Sequence, residues 1–422
     1  MPGVATLRAV ARRPVIARLP RSWDAAPRRL GIYVDGPHRI VDTDEGPRVA
    51  PDPADFPFLS FACAVGSRFD ETVIFGRASR LAAVDDALIL PKGVSIAALP
   101  PYESLRRLGQ VARATSGTVR GFWRGLTRVD AVWVFGPHPF SFLLVALALV
   151  RRKRVVLGVR QDTVAYFRGR LPSDRWKPAL LAVQALEAGF RRLARVLPTT
   201  VVGEELARTY GDGPNVRAIT VSLVRDGDIV ERPLSRDWST TIELLTVGRI
   251  DREKNPFLLV EALAQLERNR PGRFRLTWAG TGPLADAVRK RADELGVGAR
   301  IELLGFIPFG SELLTRYRRA HTFVHVSLTE GLPAVLIEAL ASGTPIVATD
   351  VGGVAAALGD AAVLVPPDDV DALVEAIVRV GDDSELRAAL VERGLSLVGG
   401  LTLDAQTELI ASFVKAPAAL RA

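Results

Sequence analysis

Two doubly wound, Rossmann-like α/β domains facing an interdomain cleft are what this sequence predicts, on three observations. Its 422 residues exceed what one hydrophobic core organises. From Leu30 onward, short β-branched apolar runs alternate with helical stretches, the pattern of parallel sheets covered on both faces. Glycine-bearing loops follow several strands of the second half, at the strand ends where doubly wound folds hold ligands. Hydrophobic residues at 48% and charged residues at 24% exclude a disordered chain.

In chain order, Met1 to Arg29 is Arg-rich and broken by Pro14, Pro20 and Pro27. Lacking a continuous apolar stretch, residues 1–29 read as a flexible basic tail rather than a signal peptide. The first half then offers strands at Leu30–Val34, Thr72–Phe75, Ala131–Phe135, Arg154–Val159 and Val196–Thr200. Ala131 to Val150 is uncharged and precedes Arg151-Arg152-Lys153-Arg154, as a membrane span with a positive flank would be. Gly136-Pro137-His138-Pro139 interrupts it, however, and lipid offers no replacement for the hydrogen bonds lost there. A buried strand, a turn and a buried helix over Phe140–Val150 account for it instead.

The second half predicts six strands: Ile242–Val247, Arg273–Trp278, Arg300–Leu304, Thr322–Val326, Pro345–Ala348 and Ala362–Val365. Asn255 is expected to cap a helix that starts at Pro256 and runs through Leu266; Pro283 opens another through Leu295. A polar stretch at Glu231–Ser239 marks the boundary. The expected division is tail 1–29, an N-terminal domain 30–232, a C-terminal domain 233–400, and a terminal helix 401–422.

Charge divides unevenly along the chain. Residues 1–235 carry 35 Lys+Arg against 22 Asp+Glu, a net of +13, and the rest carry 20 against 25, a net of −5. The first half is thus suited to something anionic: a membrane surface or a phosphorylated acceptor. Nucleic acid is disfavoured, because no recognition motif accompanies the charge. The single cysteine, Cys63, excludes an internal disulfide and fits a reducing compartment, and four scattered histidines leave little for a metal site.

Four loops carry the candidate chemistry. Gly248-Arg249-Ile250-Asp251-Arg252-Glu253-Lys254 sets two cations, Arg249 and Lys254, beside a helix start, as a diphosphate requires, although a solvated turn has the same residues. Ala279-Gly280-Thr281-Gly282-Pro283 permits a tight turn close to a ligand, or turn geometry alone. In Glu330-Gly331-Leu332-Pro333, the proline is expected at the first helical turn, leaving neighbouring N–H groups free to face an anion or sugar hydroxyls. Glu330 in that loop and Glu338 inside the helix could face one ligand from different depths, or serve as a capping residue and an exposed helix residue. Thr349-Asp350-Val351-Gly352-Gly353 repeats the glycine theme, and no phosphate-binding P-loop or dinucleotide fingerprint appears.

Taken in order, these pieces resemble the nucleotide-sugar-binding half of the family-4 retaining glycosyltransferases, of GT-B architecture. The matching residues are Gly248-Arg249 with Lys254, Gly280-Thr281-Gly282-Pro283, Gly305-Phe306, Glu330-Gly331-Leu332-Pro333 with Glu338 (an E-x7-E spacing), and Gly343 through Thr349 leading to Gly352-Gly353. What the resemblance implies is a metal-independent transferase that needs no cofactor and takes a nucleotide-diphosphate sugar as donor. Arg249 and Lys254 would clamp the diphosphate and stabilise the leaving nucleotide. Glu330 would contact the transferred sugar and Glu338 the ribose, with Gly248, Gly280, Gly282, Phe306, Gly331, Leu332 and Pro333 lining the donor site. The terminal helix around Leu403–Lys415 would cross back to the first domain.

The first half departs from that pattern. Asp35-Gly36-Pro37-His38 replaces the glycine-rich loop many relatives carry after the first strand. Trp133 and Phe135 stand where relatives have histidines, and His138, three residues on, is the remaining catalytic candidate or a structural residue. Asp162 could meet an acceptor or simply cap a helix. Arg151–Arg154 with Arg191, Arg192 and Arg195 either dock on anionic lipid or are solvated helix ends. The lipid-docking alternative would suit a glycan or lipid-linked acceptor of the cell envelope, with the protein cytoplasmic and peripheral on the inner face of the membrane. An epimerase of the same fold, which lacks the Glu330/Glu338 pattern, and a non-catalytic nucleotide-sugar-binding homologue are the alternatives.

Overall fold

The computed structural model describes residues 25–43, 46–51, 56–80, 88–169, 177–211, 213–330 and 333–416. The N-terminal sheet is built from β1 (Arg29–Thr43), β2 (Gly46–Pro51), β3 (Glu71–Arg80), β4 (Leu88–Ile89), β5 (Val94–Leu99), β6 (Ala131–Gly136), β7 (Arg154–Val159), β8 (Thr199–Val202) and β9 (Val216–Ile219). Its helices are α1 (Phe56–Gly66), α2 (Leu108–Gly125), α3 (Pro139–Val150), α4 (Thr163–Gly169), α5 (Lys177–Ala194) and α6 (Glu204–Tyr210).

The C-terminal sheet comprises β10 (Ile242–Val247), β11 (Phe274–Ala279), β12 (Ile301–Gly305), β13 (Thr322–His325), β14 (Ile346–Thr349) and β15 (Val363–Val365). Around it lie α7 (Pro256–Asn269), α8 (Ala285–Glu294), α9 (Ser311–Arg319), α10 (Ala334–Ala341), α11 (Val354–Leu358), α12 (Val370–Asp382) and α13 (Ser384–Val398). A last helix, α14 (Leu403–Lys415), follows.

Strand order β12-β11-β10-β13-β14-β15, parallel throughout, puts the topological switch between β10 and β13. The N-terminal sheet runs β1-β6-β7-β8-β9 to one side and β1-β3-β5 to the other, so its switch falls between β1 and β6. A switch point opens a crevice beyond the strand ends, because the two flanking connections leave in opposite directions. The fold therefore supplies two crevices, one per sheet, and the residues that enter them can be named.

Each sheet has apolar layers on both faces. Trp278, Phe274 and Leu263 belong to one C-terminal cluster, and Phe323, Tyr317 and Leu336 to the other. On the N-terminal sheet, Phe75, Phe122 and Phe190 fill one side, and Trp133, Phe61 and Phe58 the other. That second layer also takes Leu403, Ile410, Phe413 and Val414 of α14, so the chain's last helix completes the core of the first sheet.

Several sequence-based expectations are corrected here. Asp35 to His38 does not leave the strand: β1 continues to Thr43, its register against β3 shifting between Tyr33 and Pro37. Where its partner β6 ends, the antiparallel β2 takes over from His38 onward, so the ladder persists. β5 and β9 went unanticipated, since Ser95, two alanines and Arg217 dilute their β-branched signal. The strand expected from Val196 starts at Thr199, because Val196 and Leu197 still donate to Leu193 at the end of α5.

Asn255 precedes Pro256 as expected but does not cap with its side chain; it sits at φ 45° and its amide donates to Asp368 Oδ1 at 2.6 Å. α8 begins at Ala285, two residues after Pro283. Ala131 to Val150 is the strand β6, a turn and the helix α3, and among the described residues no helix is long and apolar enough to cross a membrane.

The basic cluster is corrected in part. Arg154 is buried, at 3% exposure; its guanidinium donates to the carbonyls of Val414, Lys415 and Ala416 and to that of Ala25. It caps the carboxyl end of α14, where cations are favoured, and so is unavailable to a lipid surface. Most of the tail 1–29, residues 1–24, lies outside the described residues, as do residues 417–422.

Candidate functional site

In the C-terminal domain the crevice at the switch point is walled by the segments that leave β10 and β13. Both are fixed by backbone contact between loops. Gly248 N–H donates to Ala279, Gly280 N–H to Gly305 and Ile250 N–H to Thr281, at 2.7 to 3.0 Å. Gly280, at φ 157°, lies against the Gly248 carbonyl so closely that a Cβ there would overlap it. Gly352, at φ 54°, lies as closely against the Glu330 carbonyl. These motif glycines let one loop pack on the next, a role that ligand approach alone does not describe.

Lys254 comes off a short 3-10 turn, Arg252–Lys254, capped by Asp251, whose carboxylate accepts from Glu253 and Lys254 N–H. Its ammonium donates to Glu330 Oε1, 76 residues away in sequence. Ser327 Oγ donates to the same oxygen at 2.7 Å, and His325 Nε2 lies 3.3 Å from it. Burial pushes the Glu330 carboxyl up, but the His325 contact and the Lys254 charge outweigh it and hold it down at about 2. Burial keeps His325 below the usual imidazole range, hence neutral at pH 7.

Glu338 occupies the fifth position of α10, only 6% exposed, and its Oε2 accepts from Tyr317 Oη at 2.8 Å. Burial raises its carboxyl from 4.5 to about 7 against that hydrogen bond. It is not the exposed helix residue that was one reading of the sequence. Pro333 stands immediately before α10 rather than within its first turn, with ψ 132°; its carbonyl accepts from Leu336 N–H at 3.1 Å, and the Ala334 and Val335 N–H groups open the helix. Gly331 and Leu332 lie outside the described residues.

Arg249 is not brought to Lys254 and Glu330. Half-exposed at 54%, it folds onto its own loop, 2.8 Å from Asp251 and 3.3 Å from Glu253. An exposed pair of this kind is worth about 0–1 kcal/mol, so a stronger anion could draw the guanidinium away. Phe306, which follows β12, is 62% exposed, an uncovered aromatic face at the same end of the sheet.

The N-terminal crevice holds a second polar cluster. Asp35, beyond Tyr33 on β1, accepts from Tyr102 Oη at 2.8 Å and Tyr33 Oη at 3.3 Å. It also pairs with Arg77 at 3.1 Å and with His138 Nε2 at 3.3 Å. His138 Nδ1 accepts the Phe140 N–H at 3.2 Å, capping α3, so the neutral ring carries its proton on Nε2, facing Asp35. Burial lowers the His138 pKa more than Asp35 raises it. Both ring nitrogens therefore have partners within the protein.

Trp133 and Phe135 point into the core, Trp133 donating to Thr200 Oγ1 at 2.9 Å. Asp162 accepts the Ala165 N–H at 2.8 Å, as a helix-capping residue does. Sequence reasoning missed His325, Ser327 and Tyr317 beside the two glutamates, and Arg77 and Tyr102 around Asp35. The available signal was polar side chains at the ends of apolar strands, as in Thr322–Ser327. A cavity of about 510 Å³ lies elsewhere, between Leu223 and Arg225 of the chain's first crossing and Leu403, Asp404 and Thr407 of its second.

Known proteins resemble this chain in sequence and in fold. A sequence model of the family described as Glycosyl transferases group 1 matches residues 235–396. That match lies within the C-terminal domain and leaves the N-terminal domain outside it. D-inositol 3-phosphate glycosyltransferase of Corynebacterium glutamicum is 39% identical over 153 residues, 35% of this chain and 36% of that protein. Glycogen synthase of Mycobacterium tuberculosis is 34% identical over 216 residues, half of each. The chain thus matches about a third to a half of the length of these curated relatives.

Solved structures extend the likeness to both domains. WaaG, a glycosyltransferase involved in lipopolysaccharide biosynthesis, superposes with a TM-score of 0.66 over 91% of this chain and 99% of its own, at 15% identity. Anabaena HepE in complex with UDP and glucose gives 0.63 over 91% and 98%, also at 15% identity. At such identity the likeness shows the fold, which is GT-B.

Proposed function

We propose that the protein is a retaining glycosyltransferase that moves a sugar from a nucleotide-diphosphate sugar to a glycan or lipid-linked acceptor of the cell envelope. The observation that carries this reading is Lys254 in contact with Glu330 at the switch point of the C-terminal sheet, beside the start of α10. The diphosphate lies against Lys254, the α10 N–H groups and Arg249, which leaves its loop carboxylates to join them. These groups meet the negative charge that grows on the leaving nucleotide, so the reaction proceeds without a metal ion or other cofactor. Glu330 accepts from hydroxyls of the transferred sugar and Glu338 from the ribose, while Phe306 offers its open face to the base. Gly248, Gly280 and Gly282 hold the lining loops together.

On the acceptor side, we assign the Asp35–His138 pair at the N-terminal switch point to the acceptor. The same domain carries a face suited to an anionic membrane. α2 has no acidic residue, and Arg113, Arg120 and Arg124 on it are exposed, as are Leu108 and Trp123. Arg151 stacks on Trp123 at 3.7 Å, which brings the exposed Val150 at the end of α3 beside it. Apolar anchors among cations are the chemistry of peripheral binding to anionic lipid, and they support a peripheral site on the cytoplasmic face of a membrane.

The test is nucleotide release from a panel of UDP- and GDP-sugars, with and without membrane extract. Acceptor-dependent release in the wild type, falling at least about 100-fold in Lys254→Ala with unchanged circular dichroism, is expected. A sugar altered on an intact nucleotide would instead establish an epimerase, and binding without turnover a non-catalytic homologue.

A further inference from the structure

Three groups around Glu330 converge on one of its two oxygens, two of them as hydrogen-bond donors. Lys254 Nζ, Ser327 Oγ and His325 Nε2 address Oε1, and no described residue donates to Oε2. With 13% of the side chain exposed, the carboxylate is pinned by its inner oxygen and presents the outer one. Turning the carboxyl about its last torsion would forfeit all three contacts at once.

The three groups differ in what else they are asked to do. Lys254 is the residue a diphosphate would draw away, since phosphate oxygens compete directly for its ammonium. Ser327 and His325 have no such rival. His325 is the last residue of β13, paired with Ala348 of β14, and its ring stacks on Phe323 at 6.3 Å. The Ser327 carbonyl accepts from Thr349 Oγ1 at 2.7 Å, which ties it to the end of β14. His325 Nε2 lies off the line of an ideal hydrogen bond to Oε1. It can align fully only if the carboxylate shifts toward it.

We propose that His325 and Ser327 are positioning residues, keeping the outer oxygen of Glu330 aimed at the transferred sugar once Lys254 turns to the donor diphosphate. The assignment deepens the glycosyltransferase reading and rests on it. Neither residue touches the donor; each acts through Glu330. Losing one leaves nucleotide binding in place and misplaces the carboxylate where the sugar reacts, and a misplacement near 1 Å costs on the order of 100-fold in rate.

The experiment compares His325→Leu, His325→Gln and Ser327→Ala with wild type in the full chain. UDP and GDP affinities are measured by calorimetry and donor turnover by steady-state kinetics. Expected in His325→Leu is a kcat lowered roughly 10- to 100-fold with nucleotide affinity within about twofold. His325→Gln, which keeps an N–H donor, should recover most of it. Equal losses in Leu and Gln, or a parallel loss of nucleotide affinity, would overturn the assignment. A readout independent of turnover is the Glu330 carboxyl titration by 13C NMR, which should move up from about 2 in His325→Leu. An unmoved titration refutes the positioning role even if the protein transfers sugar. Wild-type inactivity with a moved titration would sink the transferase reading and spare the contact.

Discussion

Glu338→Gln separates what the buried carboxyl does for stability from what it does for a ligand. Burial raises Glu338 from its ordinary 4.5 to about 7, so between those values the unfolded chain ionises while the folded one stays protonated. Stability from this group is complete below pH 4.5 and is lost as pH rises through 7. At about 1.4 kcal/mol per pH unit, the loss amounts to about 3 kcal/mol. Glutamine cannot ionise, and its carbonyl still accepts the Tyr317 hydroxyl. The variant should therefore match wild type within about 1 kcal/mol at pH 4.5 and exceed it by about 3 kcal/mol at pH 8.

Urea unfolding followed by tryptophan fluorescence reads this directly, since Trp278 is buried in the same domain. The variant's donor KM should rise, because a ribose hydroxyl that donates to a carboxylate is held more firmly than one that donates to an amide. Parallel pH–stability curves for the two proteins would refute the claim that Glu338 is desolvated in the fold. A stabilised variant with an unchanged KM would keep the burial and remove the ribose contact.

Two further substitutions probe the scaffold. Gly280→Ala forces a methyl into the Gly248 carbonyl at a φ of 157°; a loss of about 1–3 kcal/mol is expected, and a thermal midpoint unchanged within 1 °C would mean the two loops are not packed as described. Arg154→Ala removes the guanidinium that caps the carboxyl end of α14. Destabilisation of about 2–4 kcal/mol with early proteolytic release of residues beyond Thr402 is expected, and wild-type resistance to protease would show that α14 is held without it.

The likeness of the second half was legible because its determinants are local. A strand, a glycine, a cation and a helix start occur within a dozen residues, and Gly248–Lys254 and Glu330–Pro333 each state one such unit. Loop packing was not legible: Gly280 needs its φ because of Gly248, and Gly352 because of Glu330, each pair brought together by strand order. The same limit hid Asp35 and Arg77, whose partner Tyr102 comes from another connection altogether.

Alone, then, the sequence determined that the chain makes two layered α/β sheets and that glycine-bearing loops follow the strands of the second, since periodicity and turn chemistry act over a few residues. Only the tertiary structure decided which charges meet. It set Lys254 on Glu330 and kept Arg249 away, sank Glu338 beneath Tyr317, occupied both nitrogens of His138, and buried Arg154 under α14. Coulomb and desolvation energies depend on distance and burial, and residues 76 apart along a chain have neither until the sheets form.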